Sequence, residues 1–250
     1  MQNYQTFQPA QGAFNDKIIL VTGAGDGIGR EAALSYARHG ATVILLGRTV
    51  AKLEAVYDEI EAAGGATPAI IPLDMKGATE ANYRDMAATI MDQFGRLDGL
   101  LHNAGMLGVL SPFAHIDLAT WEDIMKVNVT AQFMMTKALL PVLLEATNPS
   151  VVFTSSGVGR TGRAHWGPYA VSKFATEGMA QVLADEYDNS HLRVNVINPG
   201  ATRTAMRSKA YPAEDKSKLK TAADIMPVYL YLMSDDSIGV SGESLDAQTR

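Results

Sequence analysis

The chain has 250 residues, 47% hydrophobic and 19% charged, with no cysteine and a formal net charge of −6. That composition is too apolar for a disordered chain and fits a single α/β domain, which commonly runs to about 200–250 residues. The missing cysteines exclude disulfides, thiolate nucleophiles and cysteine-ligated metals, and the acidic balance argues against nucleic acid or an anionic membrane as partner.

Residues 1–14 lack the basic start and apolar stretch of a secretory signal and read as an N-terminal extension to one domain over 15–250. No apolar run reaches the roughly 18 residues of a membrane span, so a cytoplasmic protein is expected. Residues 17–22 read as a buried strand, and Ile28, Ala32, Ala33, Tyr36 and Ala37 follow at helical spacing up to a stop at Gly40. A second strand spans 41–46, and Thr49 is placed to cap a helix that ends at Gly64-Gly65. Strands are expected again at 69–73, 97–102, 151–155 and 193–198, with helices near 79–94, 120–146 and 169–189. Thr120 with Asp123, and Thr221 with Asp224, have capping-box spacing, while Pro141 is expected to kink or divide its helix. Strands alternating with helices imply right-handed crossovers and a doubly wound parallel sheet.

After the first strand comes Thr22-Gly23-Ala24-Gly25-Asp26-Gly27-Ile28-Gly29. Such glycines either join strand to helix or let backbone amides approach a pyrophosphate at the helix N-terminus; their placement favours a dinucleotide. Further along stand Asn103-Ala104-Gly105 after the fourth strand, Ser156 placed 13 residues before Tyr169, Tyr169-Ala170-Val171-Ser172-Lys173, and Asn198-Pro199-Gly200 with Thr202 after the sixth strand. In this order, over residues 15–248, these motifs resemble the short-chain dehydrogenase/reductase family in its non-extended form. The stretches around Tyr169 and Pro199 are most similar to its YciK-type bacterial oxidoreductases.

The resemblance implies a Rossmann-type domain with a sheet of about seven strands, and an oxidoreductase that interconverts a carbonyl and an alcohol by hydride transfer. It casts Tyr169 as general acid or base, and Ser156 as hydrogen-bond partner of the substrate oxygen. Lys173 holds the nicotinamide ribose, and Asn128 orders a water for proton relay. Tyr169 and Lys173 lie four apart on one helix face, a spacing that alone marks no more than a surface pair. A lysine ammonium at about 4 Å contributes roughly 4 kcal/mol, enough to draw a phenol down from its usual pKa of about 10. Cofactor contacts are implied at Gly23, Gly27, Ile28, Gly29, Asn103, Ala104, Gly105, Pro199, Gly200 and Thr202, with Tyr169 and Lys173, and for adenine at Asp74. At the end of the second strand, Gly47 stands where NAD-binding members carry an acid, and Arg48 follows. A guanidinium pairs with a 2′-phosphate, so NADP(H) is expected over NAD(H), although Asp26 puts an acid in the glycine turn.

Only about 50 residues follow Gly200, too few for the substrate domain of the extended relatives. Instead the stretch 203–220 reads as the substrate loop. Its six basic residues (Arg203, Arg207, Lys209, Lys216, Lys218, Lys220) against Glu214 and Asp215 suit a solvated lid, an acidic substrate or closure over cofactor phosphates. Arg163, His165 and Trp166 are placed to line the entrance, and no histidine pair has metal-ligand spacing. The expected partner is a small-molecule substrate, and the expected assembly a homodimer or homotetramer. The alternative is a non-catalytic NADP(H)-binding redox sensor.

Overall fold

In the computed structural model, which describes residues 4–249, seven parallel strands pair in the order β3-β2-β1-β4-β5-β6-β7. These are β1 (Ile18–Thr22), β2 (Thr42–Gly47), β3 (Ala69–Pro72), β4 (Gly99–His102), β5 (Ser150–Thr154), β6 (Arg193–Asn198) and β7 (Ser244–Asp246). Side chains alternate across the sheet. Ile19 and Val21 of β1 and Val43 and Leu45 of β2 pack beneath α1 (Gly27–Arg38), α2 (Val50–Ala62) and α8 (Met226–Met233). Leu20, Ile44, Leu46, Leu100, Val151 and Phe153 face the other way, onto α3 (Glu80–Phe94), α5 (Ala131–Leu143) and α6 (Gly167–Glu186). A strand buried on both faces has no polar side to show, which is why these segments read as unbroken apolar runs.

The order reverses between β1 and β4. In a doubly wound sheet the crevice for a ligand opens there, beyond the carboxyl ends of the strands. The glycine turn leaves β1 and the Asn103-Ala104-Gly105 turn leaves β4, so the topology brings both to that crevice.

Several local expectations change. Thr49 occupies the N-cap position of α2, but its hydroxyl makes no capping bond. The cap of α4 (Leu118–Met125) is Asp117, which accepts from the Thr120 amide at 2.8 Å, so the helix starts before Thr120; Asp123 pairs instead with Lys76 at 2.7 Å. Thr221 and Asp224 do form the reciprocal box, at 2.7 and 3.2 Å. The long helical stretch divides not at Pro141, through which α5 runs near its end, but at a π-helical segment over Lys126–Thr130. β7 was not read as a strand from its residues; it is three half-buried residues that pair Val196 with Ser244 and Asn198 with Asp246.

Phe7 and Phe14, within the stretch read as an extension, are buried in the α1–α8 core, Phe14 against Tyr36 at 5.7 Å and Phe7 against Tyr231 at 5.4 Å. Because Phe14 is fully buried, Phe14→Ala is expected to cost about 3–5 kcal/mol in urea unfolding. The exposed Val109 changed to Ala should move stability by no more than about 0.5 kcal/mol.

Candidate active site

The turn after β1 is built for close backbone approach. A Cβ on Gly29 would lie 2.3 Å from the Gly23 carbonyl oxygen, and Gly23 itself has φ +69° with Ala104 Cα 3.1 Å from where its Cβ would stand. Gly27, with φ +55°, faces only the Thr204 methyl at 3.5 Å, so the space above it is open. Ile28 is half-buried against the α1–α8 core. The buried Thr22 hydroxyl ties the two turns together. It accepts from the Asn103 and Ala104 amides at 2.9 and 3.0 Å and donates to the Leu101 carbonyl at 3.2 Å, while Asn103 Nδ2 donates to the Thr22 carbonyl.

Arg48 follows β2, exposed and without an ion-pair or hydrogen-bond partner among the described residues. Asp26 is not free to repel an anion. Lys52, in the first turn of α2, pairs with it at 2.5 Å, holds its carboxyl below the usual range, and packs over the turn so that a Cβ on Gly25 would meet Lys52 Cβ at 2.9 Å. Asp74, exposed after β3, accepts from the Lys76 amide at 3.0 Å and so closes its own turn.

Across the crevice, Tyr169 in the first turn of α6 is 7% exposed and Lys173, one turn later, 3% exposed. The Lys173 ammonium donates to the Thr154 carbonyl at 2.8 Å, its one hydrogen bond among the described residues, and stands 5.6 Å from the centre of the Tyr169 ring. Burial pushes this lysine down to about 8, opposed by Glu177 one turn on. Burial also pushes the Tyr169 phenol up to about 12, with the Ser156 hydroxyl beside it pulling the other way. Lys173 is not among the causes of this shift. The ammonium lies over the ring and donates its hydrogen bond to the Thr154 carbonyl.

Ser156 is half-buried and caps the turn over Gly157–Gly159 by accepting from the Val158 amide at 3.4 Å. Ser155, by contrast, has its hydroxyl buried with no partner. Asn128 lies in the π segment, fully buried. Its Oδ1 accepts from the Met106 amide at 2.7 Å, and its Nδ2 donates to the Met106 carbonyl at 2.9 Å and to Ser172 Oγ at 3.0 Å. A Cβ on Gly105 would come within 3.6 Å of Asn128 Oδ1 and 3.7 Å of Lys173 Nζ, so bare backbone passes beside both. After β6, the Gly200 amide donates to Asn198 Oδ1 at 3.2 Å, and the buried Thr202 hydroxyl donates to the Pro199 carbonyl at 3.1 Å. Side-chain-free turns, a free guanidinium at one end and a lysine with unused donors at the other fit an anionic dinucleotide laid across the strand ends.

The family model for short chain dehydrogenases matches residues 17–215. The chain belongs to that family. It is 58% identical over 242 residues to the oxidoreductase YciK of Escherichia coli (strain K12), covering 97% of this chain and 96% of that protein. A short chain dehydrogenase from Shigella flexneri 2a str. 301, complexed with NADP, superposes with a TM-score of 0.94 at 57% identity over 96% of this chain and all of that one. A second, from Escherichia coli CFT073 and complexed with NADPH, gives 0.94 at 58% identity with the same coverage.

In this short-chain dehydrogenase both acids of the loop over 203–220 pair with bases of the same loop. Arg207 on α7 (Ala205–Ala210) makes a two-pronged bond to Glu214 at 2.7 and 2.5 Å and lies 3.9 Å over the Tyr211 ring. Lys218 stands 3.9 Å from Asp215. Of the entrance residues, Arg163 and His165 are exposed, His165 with φ +72°, whereas Trp166 tilts against Tyr169 at 5.7 Å.

Two contributors carried no signal in the sequence. One is Lys52. The other is Gln248, whose amide donates to the Pro199 carbonyl at 2.7 Å and to Thr202 Oγ1 at 3.2 Å, fixing the turn after β6. Thr22→Val removes one acceptor from two amides; it should lower unfolding stability by about 2–6 kcal/mol, since each orphaned donor costs about 1–3, and weaken binding of any dinucleotide measured by calorimetry.

Proposed function

We propose that the chain is an NADP(H)-dependent oxidoreductase that interconverts a carbonyl and an alcohol, with Tyr169 as acid and base. The observation that carries this reading is a buried tyrosine and a buried lysine, one helical turn apart, set beside Ser156 at the mouth of a dinucleotide crevice. Bound NADP(H) supplies or accepts the hydride.

The protein's own groups manage the proton. With its phenol held near 12, Tyr169 is fully protonated at neutral pH and presents an acid to a carbonyl oxygen. Once the proton leaves, the Lys173 ammonium at the ring face steadies the phenolate in an interior where water screens little. Ser156 donates a hydrogen bond to the same substrate oxygen as charge builds there. Asn128 pins the backbone at Met106 and the Ser172 hydroxyl, keeping the β4 turn at its distance from α6. A water-ordering role for it is proposed on the family resemblance.

Gly23, Gly27, Ile28 and Gly29 receive the pyrophosphate, and Asn103, Ala104 and Gly105 pass along the cofactor's inner edge. Pro199, Gly200 and Thr202 bound its nicotinamide end, and Asp74 meets the adenine. Arg48 takes the 2′-phosphate; its lack of a partner among the described residues and the two cofactor-bound relatives support NADP(H) over NAD(H). The binding and catalytic domain spans 15–250 with 203–220 as its substrate loop. The exposed Phe133, Val171, Phe174 and Val182 on α5 and α6 offer surface for a homodimer or homotetramer. Among the described residues no helix is long and apolar enough to cross a membrane, and the reading places the enzyme in the cytoplasm.

Three measurements test this reading. In an NADPH-consumption screen over ketones, aldehydes, quinones and keto-acyl thioesters, Tyr169→Phe should drop kcat by about 10²–10⁴-fold, the usual contribution of a positioned acid. Its NADPH Kd should stay nearly unchanged; no turnover on any class despite tight NADPH binding favours the redox sensor. NADPH should bind tighter than NADH by about 10–100-fold, a gap Arg48→Ala closes, since a hydrogen bond to a charged group contributes about 1.5–3 kcal/mol. Finally, the ammonium that steadies the phenolate exists only below the lysine pKa of about 8. Carbonyl reduction should therefore fall as pH rises through about 8, and that inflection should vanish in Lys173→Met.

A further inference from the structure

The walls around Tyr169 say what kind of molecule brings the carbonyl. Tyr169 is buried in a small apolar cluster with Leu107 and Val158, and Leu110, Trp166 and Met206 pack on that cluster while remaining partly exposed. They come from three separate places: the segment after β4, the turn before α6, and α7 in the loop. The Ser111 amide donates to the His165 carbonyl at 3.0 Å and so fixes the first two against each other. On the third side Trp166 meets Tyr211 at 6.0 Å, extending the wall. Apolar faces left half-open around a buried phenol are surface that a ligand would cover.

Several nearby cations are already committed. In the loop, Arg207 is spent on Glu214 and the Tyr211 ring. Lys218 is turned to Asp215, and Arg203 and Lys220 act on Asp224. Lys173 is the one cation that stands over the Tyr169 ring, and the reaction itself employs it. The remaining cations of the loop and of the turn before α6 that have no ion pair among the described residues, Arg163, Lys209 and Lys216, are exposed to solvent. An anionic substrate covered by this apolar wall would therefore bury its charge without a close partner, which is costly.

Building on the proposed carbonyl–alcohol chemistry, we infer that the substrate is an uncharged carbonyl compound with an apolar body, seated against Trp166, Leu110 and Met206. The basic loop is then held in shape by its own ion pair and is not an anion receptor.

Two substrate comparisons with NADPH test the inference. Along the methyl ketones from 2-butanone to 2-octanone, each added methylene should raise kcat/KM about fourfold, as burial of one more CH₂ gives. 4-Phenyl-2-butanone should exceed 2-oxo-4-phenylbutanoate, the same body with a carboxylate in place of the methyl, by at least about 100-fold. Trp166→Ala and Met206→Ala should each flatten the chain-length dependence, mainly through KM, with NADPH Kd unchanged. A flat series in the parent protein, or preference for the keto acid, overturns the inference while leaving the carbonyl reaction standing.

Failure to reduce any carbonyl counts against the proposed reaction, and the inference is then read by binding. The chain has two tryptophans, so Trp121→Phe leaves Trp166 as the sole indole reporter. Quenching of its fluorescence that grows with ketone chain length supports the apolar wall, and quenching independent of chain length, or none, overturns it.

Discussion

A lysine ammonium withdrawn from water is the constraint around which this site is arranged. Burial alone would strip the charge from Lys173, and the protein opposes that with few contacts: the Thr154 carbonyl on one side and the Glu177 carboxylate one turn along α6. Each of these is itself held. Thr154 ends β5, and Glu177 accepts from the Ser244 hydroxyl of β7 at 2.7 Å and faces Arg160 at 3.5 Å. Arg160 in turn bonds Asp246 at 2.6 Å, and Asp246 accepts from Asn198 at 2.8 Å. A chain of charge-assisted bonds therefore runs from Glu177, whose charge acts on the lysine, to the turn that carries Ser156, to the last strand and to the turn after β6. Such buried networks hold geometry as a unit, because each member left unpaired would cost more than the bond it makes.

The second organising constraint is steric and lies at the other end of the crevice. No side chain fits at Gly29, since its Cβ would sit 2.3 Å from a carbonyl oxygen. α1 is thereby pressed against the end of β1, and its free amides are presented to the crevice. An acid at Asp26 in such a turn looks hostile to phosphate. Lys52 neutralises it from α2, leaving Arg48 as the uncommitted charge. The protein's net charge of −6 is thus an average that says little about the site, where Asp26 is paired with Lys52 and Glu214 with Arg207.

How much of this was legible in the sequence depends on whether the information is local. Strands buried on both faces had to be apolar runs, so β1, β2 and β6 were found nearly to the residue. Ser156, Tyr169 and Lys173 were marked by the family resemblance, and the fold brings them together. β7 escaped because three half-buried residues, Ser244, Leu245 and Asp246, carry neither alternation nor an apolar run. The start of α4 was misplaced because Asp117 and Thr120 are both good caps, and only the packing of the helix selects between them. Lys52 and Gln248 were invisible for a stronger reason: their neighbours, Asp26 and Pro199, are set by tertiary folding, and nothing in the flanking residues announces the contact. For the basic loop, counting charges could not reveal which of them pair, and the bond between Arg207 and Glu214 is visible only in the fold.

The π-helical segment at Lys126–Thr130 has one residue more than the α-helical ladder can accommodate. That surplus residue is what turns Asn128 inward to clasp Met106 and Ser172. Losing a single residue there would make the stretch from α4 to α5 a regular helix, locally the more comfortable arrangement. Everything beyond it would be rotated by about 100°, the turn per residue of an α-helix. Met135 and Leu139 would swing out of the core, or else Asn128 would leave the crevice. The segment can therefore tolerate exchange of side chains far better than a change in length, and its irregularity is an inherited cost that shortening cannot remove without taking the site apart.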